Sequence, residues 1–281
     1  MLVVKRKWGI LKKSECIKAL LILIAGGTLV SSSCLASELP ELVTDRPDQT
    51  ESSTTVPYGS VQIETGWLHS EEDDDDLETD TFPQTLLRYG LADNLELRLN
   101  YDGYIWENAA GYRAVATDNE GSGDVAVGFK LKLLEEKGWL PETALVSHIG
   151  FPAGKAPFSS ERFDPDYRLA FSHTLSDCLS FGYNLGQAWV SEEDAAGDRD
   201  TRHQFIYSAA LGIGLTDKLG CFVELFGDIP TGSDGGPANS FDGGFTFLMA
   251  DNLQLDVSSG AGLSDDADDW FIAAGFSVGF P

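Results

Sequence analysis

A five-residue phrase, Leu91-Ala92-Asp93-Asn94-Leu95, returns three times: as Leu175-Ser176-Asp177-Cys178-Leu179, Leu215-Thr216-Asp217-Lys218-Leu219 and Met249-Ala250-Asp251-Asn252-Leu253. Each copy reads apolar, small, Asp, variable, apolar. Asp with a small neighbour suits a tight reversal, and the flanking apolar residues end one strand and begin the next. Glu135-Glu136-Lys137-Gly138 supplies a further turn in the long interval between the first two copies. Repetition at this scale predicts one hairpin unit used over and over. The connections between successive hairpins are longer, acidic and rich in glycine. Short turns on one rim and long polar loops on the other are the signature of a transmembrane β-barrel.

The segments between turns alternate with a period of two, as half-buried strands do. Val61, Ile63, Thr65 and Trp67 oppose Gln62, Glu64 and Gly66, and Leu95, Leu97, Leu99 and Tyr101 oppose Glu96, Arg98, Asn100 and Asp102. The chain ends on Trp270, Ile272, Ala274, Phe276, Val278 and Phe280 against Phe271, Ala273, Gly275, Ser277 and Gly279. Twelve strands result. A loop connects the third strand to about Gly121, and Glu71 to Asp80, with its run of carboxylates, reads as a solvated loop. A soluble sandwich would show the same alternation. The alternation of turn and loop lengths and the Gly and Ala crowding the polar face favour a confined lumen. The fold class expected is an all-β, antiparallel, up-and-down transmembrane barrel of about 12 strands over residues 58–281.

Basic residues from Lys5 to Lys18 precede an apolar run, Ala19 to Val30, that is too short to cross a bilayer as a helix. Residues 1–36 therefore read as a secretory signal peptide, and residues 37–57 as a periplasmic or lumenal tail. Beyond the leader, 13 basic residues remain against 44 acidic ones. A balance of that sign excludes nucleic acid as a partner. The histidines His69, His148, His173 and His203 sit in no nucleophile motif, and no spacing suggests a metal site, so neither catalysis nor a cofactor is expected.

The register assigns charges to the lumen: Glu64 on strand one, Arg88 on two, Glu96, Arg98 and Asp102 on three, Asp124, Lys130 and Lys132 on four, and Arg168 on six. Such a ladder must be largely paired, because an unpaired buried charge costs several kcal/mol. The tail carries Asp45, Arg46 and Asp48 just ahead of strand one, and is expected to fold into the lumen as a partial plug that pairs with this wall.

The string Thr44-Asp45-Arg46-Pro47-Asp48-Gln49-Thr50-Glu51, followed by Val56-Pro57-Tyr58-Gly59-Ser60-Val61-Gln62-Ile63-Glu64-Thr65-Gly66, resembles the opening of the outer-membrane barrel family described for the MetA pathway of phenol degradation. The stretch Gly90 to Arg98 is also similar to it. The resemblance implies a barrel in the outer membrane of a Gram-negative bacterium that passes aromatic or other apolar small molecules. The expected function is passive transport. The partners expected are outer-membrane lipid and lipopolysaccharide, the barrel-assembly machinery and a small solute. The alternative is a non-conducting surface barrel whose acidic loops hold cations. By chain direction, the Asp turns should face the periplasm and the acidic loops the exterior.

Overall fold

The computed structural model describes residues 42–72, 77–109, 117–193, 199–232 and 235–281. The expected leader and residues 37–41 of the tail lie outside them. The strands are β1 (Val61–Glu72), β2 (Leu77–Ala92), β3 (Leu95–Tyr101), β4 (Tyr104–Ala109), β5 (Thr117–Ser122), β6 (Val125–Leu134), β7 (Glu142–Phe151), β8 (Asp164–Ser176), β9 (Leu179–Glu193), β10 (Arg199–Gly214), β11 (Leu219–Pro230), β12 (Ala238–Ala250), β13 (Leu253–Gly262) and β14 (Trp270–Phe280). All pairings between them are antiparallel, and β1 pairs with both β2 and β14. The sheet therefore closes on itself as a barrel of twelve strands, with β4 and β5 as an added hairpin.

The residues facing in and out reverse the habit of a water-soluble protein. Leu97, Val127, Leu169, Leu185, Val223 and Phe245 lie on the outside, between 37% and 54% exposed, whereas Glu64, Arg88, Glu96 and Lys130 are completely buried. An apolar exterior on a twelve-strand ring without a free edge suits a hydrocarbon surround, where every backbone group must find its partner within the wall. The echoed Asp turns sit where the period-two pattern places them, between β2 and β3, β8 and β9, β10 and β11, and β12 and β13.

Two stretches differ from expectation. The loop expected before Gly121 contains β4 and β5, and β4 pairs with β2 from Leu77↔Ala109 to Phe82↔Tyr104. β2 pairs with β3 only from Thr85 onward. Pro83, which has no N–H to donate, lies where β2 changes partner. Gly103, at a φ of 105°, makes the matching bend between β3 and β4. The second difference is the acidic run. Glu71 and Glu72 belong to β1 and Leu77–Asp80 to β2, while residues 73–76 lie outside the described part. Donors order the two flanks: the indole of Trp67 donates to Asp80 (2.9 Å), that of Trp270 to Glu71 (3.0 Å), and His69 Nδ1 lies 3.2 Å from Asp80.

Candidate functional site in the lumen

Strand register sets up a conflict inside the barrel. Arg88 and Arg98 are direct cross-strand partners on β2 and β3, and both face inward. Like charges so placed repel unless acids intervene. Glu96 supplies one acid: Arg88 grips its two oxygens in a fork, Nε and Nη2 each at 2.9 Å, and Arg98 Nη1 donates to it at 3.0 Å. Glu64 supplies another, accepting from Arg88 Nη1 at 3.0 Å. The third comes from outside the wall. Asp45 Oδ2 lies 2.7 Å from Arg98, 2.8 Å from Lys130 and 3.2 Å from Arg88, so one tail carboxylate bridges three wall cations. Bidentate and charge-assisted bonds of this kind are the strong class, and their multiplicity is what makes full burial tolerable.

The tail backbone is held as firmly. Glu64 Oε2 accepts the amides of Asp45 and Arg46, each at 2.9 Å, and Glu96 Oε2 accepts that of Val56 at 2.8 Å. Between these anchors Glu51 meets Arg98 at 2.8 Å, and the amide of Asn184 on β9 bonds the Glu51 backbone. Ser53 and Thr54 donate to Glu142 on β7 at 2.8 and 3.0 Å.

The far wall carries acids instead. Glu224 on β11 and Asp242 on β12 are direct cross-strand partners, 1% and 2% exposed, and Asp256 stands on β13. Arg46 of the tail reaches Asp256 at 3.0 Å. Its guanidinium lies in a notch formed by Gly66 and Gly275, which pair across β1 and β14; a methyl group at Gly275 would sit 2.6 Å from Arg46 Nη2. Glu224 accepts the Gln49 amide at 2.7 Å and the Thr50 hydroxyl. Asp48 lies within the field of Glu224 and Asp242.

Two cavities flank the tail. One of about 470 Å³ has Arg46, Pro47 and Gln49 on one side and reaches Asp266 and Asp268 of the β13–β14 loop. The other, about 340 Å³, lies between Leu42 and the Asp217 and Asp251 turns.

Of the residues expected in the lumen, Glu64, Arg88, Glu96, Arg98 and Lys130 meet in one network with Asp45. Arg168 lines the larger cavity and lies 3.7 Å from Asp166. Lys132 pairs near the turn rim with Glu142 at 3.1 Å and Glu135 at 3.5 Å. Asp124 sits just before β6, outside this network, where it accepts the amides of Gly154 (2.7 Å) and Ser160 (2.8 Å) in the long β7–β8 loop. Burial works against its charge, but these bonds prevail and hold its pKa below the usual value. Asp102 lies beyond β3, exposed, its backbone amide bonded to the Asp124 carbonyl at 3.1 Å.

Sequence reasoning passed over Glu224, Asp242, Asp256 and His148. The same alternation marks them: Asp256 lies between Leu255 and Val257, and Asp242 between Phe241 and Gly243. On β11 the inward neighbours of Glu224 are Phe222 and Phe226, so that face does not read as polar. His148 Nε2 accepts from Arg98 Nε at 3.0 Å, which leaves Nδ1 facing Asp166 at 3.3 Å.

Residues 44–280 match the model of the family described as "Putative MetA-pathway of phenol degradation", a span that takes in the tail from Thr44 onward and every strand. The chain belongs to this family. Among solved structures, the COG4313 outer membrane channel from Pseudomonas putida F1 is similar at 14% identity, covering 81% of this chain and 98% of the other, with a TM-score of 0.63. The NanC porin is similar at 11% identity, covering 78% and 98%, with a TM-score of 0.51. At such identities the likeness shows the fold, a β-barrel. No curated protein sequence matches this one.

Proposed function

We propose that this barrel is a passive channel for small molecules, among them aromatic or apolar ones, in the outer membrane of a Gram-negative bacterium, and that residues 42–57 plug its lumen. The observation that carries the reading is the tail's double attachment. Asp45 binds the cationic wall of β2, β3 and β6, and Arg46 binds the acidic wall at Asp256, so the segment crosses the lumen with a cavity on either side. Twelve strands enclose more space than the eight whose side chains fill a barrel, and less than the sixteen of a wide porin. A segment lying across that space would set the size of what passes. The family description, and the name of the Pseudomonas barrel as a channel, support transport over a purely structural role. With both chain ends on the periplasmic side, the Asp turns face the periplasm and the acidic loops face outward.

Planar-bilayer recording tests this. The full chain should give small or brief openings, and a chain lacking residues 37–55 should give larger, steady steps. Absence of steps from both proteins, each folded by its heat-modifiable mobility, would remove the channel. Equal steps would remove the plug.

A further inference from the structure

The larger cavity combines a polar and an apolar half. Leu68, Ile206, Phe226 and Phe271 line it, the last two rings meeting edge to face at 6.0 Å. Arg168 on β8 and Arg46 on the tail line it too. The Nε of each guanidinium is buried and has no hydrogen-bond partner among the described residues. Arg46 is engaged through Nη2 with Asp256, whereas Arg168 has a long ion pair, 3.7 Å, with Asp166, itself turned to His148, and a more distant attraction to Glu51. A cation held by partners this distant keeps donors to spare, and the quarter of the Arg168 side chain that stays exposed offers them to an incoming oxyanion. At about 470 Å³ the cavity is of the size that takes a small organic molecule.

We infer that the cavity on the loop side of the tail binds small organic carboxylates with an apolar body, the carboxylate on Arg168 and the body against Phe226, Phe271, Leu68 and Ile206. This rests on the channel reading and names the solute class that the channel would hold. An uncharged aromatic would gain the apolar contacts but leave the guanidinium unsatisfied. An amine would meet Arg168 as a like charge. The acidic residues that line it, Asp228, Asp266 and Asp268, lower the local concentration of anions at low salt. At an ionic strength of about 0.15 M their reach falls to about 8 Å, and the site's own contacts decide.

Benzoate, benzyl alcohol and benzylamine are the probes, titrated calorimetrically into the full-length protein in detergent at that ionic strength. Benzoate should bind at least about tenfold more tightly than benzyl alcohol, the scale of one charge-assisted contact. Arg168→Gln should remove that preference and leave benzyl alcohol unchanged. Arg168→Lys, which keeps the charge, should retain part of it and guards against a folding defect in the first variant. Equal binding of benzoate and benzyl alcohol, no benzoate binding, or full benzoate preference in Arg168→Gln would each overturn the assignment. Bilayer recording separates this from the channel reading. Benzoate binding without conductance sinks the channel alone, and conductance without a carboxylate preference sinks the site alone.

Discussion

Arg46 reaches Asp256 at 3.0 Å only because it lies in the notch between Gly66 and Gly275. The two glycines are opposite one another across the β1–β14 pairing, and a side chain on either would fill the space the guanidinium occupies. Gly275→Ala should therefore cost about 1 to 3 kcal/mol by overpacking and dislodge Arg46. Conductance should rise in Gly275→Ala and in Arg46→Ala, and the double variant should rise no further. Additive increases would show that the two act separately.

Arg88 is fully buried and holds Glu64, Glu96 and Asp45 together. Replacing it with Met leaves buried Glu64 without its cation and takes one cation from Glu96 and Asp45, which keep Arg98; losing one partner of a buried pair costs about 3 to 5 kcal/mol. Urea unfolding in detergent, followed by the heat-modifiable gel shift, should show a fall of that size. Lys132→Met, at the half-buried turn rim, should cost far less.

Glu224 and Asp242 present the opposite case, two acids face to face with no ion pair to any cation among the described residues, and Asp242 Oδ1 without a hydrogen-bond partner. The tail offers Glu224 an amide and a hydroxyl but no charge. Asp242→Asn takes one of the two acids away, keeps the shape and sets an amide N–H where it can donate to Glu224, so the same unfolding experiment should show a gain, on the scale of about 1 kcal/mol for a cross-strand pair. A loss would mean that the carboxylate has a partner in solution.

Asp124 latches the β7–β8 loop through the amides of Gly154 and Ser160. Its pKa is held below the ordinary value of 3.8, so the ionised form is favoured by the folded state. Stability from such a group is complete above the ordinary value and is lost as pH falls through the lower, folded one. Hydrogen exchange should find the Gly154 and Ser160 amides protected from neutral pH down to about 4, with protection failing only on further acidification. Asp124→Asn should lose protection at every pH and open Lys155 and Arg162 to trypsin. Protection that fails already near neutral pH would assign the latch to another group.

The barrel was legible in the sequence because its two signals are local. Period two is written into each strand, and the Asp turns mark each reversal. The pairing of Asp45 with Arg98 was legible as chemistry, since a charged inner wall needs counter-charges and the tail carries them. Its geometry was not. The turn at Asp93 sets Arg88 opposite Arg98, but which acid comes between them depends on where the tail, about forty residues earlier, lies in the lumen. The β4–β5 hairpin was missed because β4 is short and β5, Thr117–Ser122, has no apolar residue to alternate. The acidic flanks of β1 and β2 were missed as strands because their order comes from the indole donors of Trp67 and Trp270. Glu224 was hidden by Phe222 and Phe226, its neighbours on the inward face.

The notch for Arg46 does not exist on either strand alone. Gly66 lies on the first strand and Gly275 on the last, and Asp256 is 210 residues from its partner. The seat for this side chain is therefore created by the event that completes the cylinder. A chain still waiting for its final strands can already lay Asp45 against Arg88, Arg98 and Lys130, but it has nowhere to lodge the next residue. The closing of the seam and the seating of Arg46 are one step, so the tail gains its second hold only in molecules whose wall is whole.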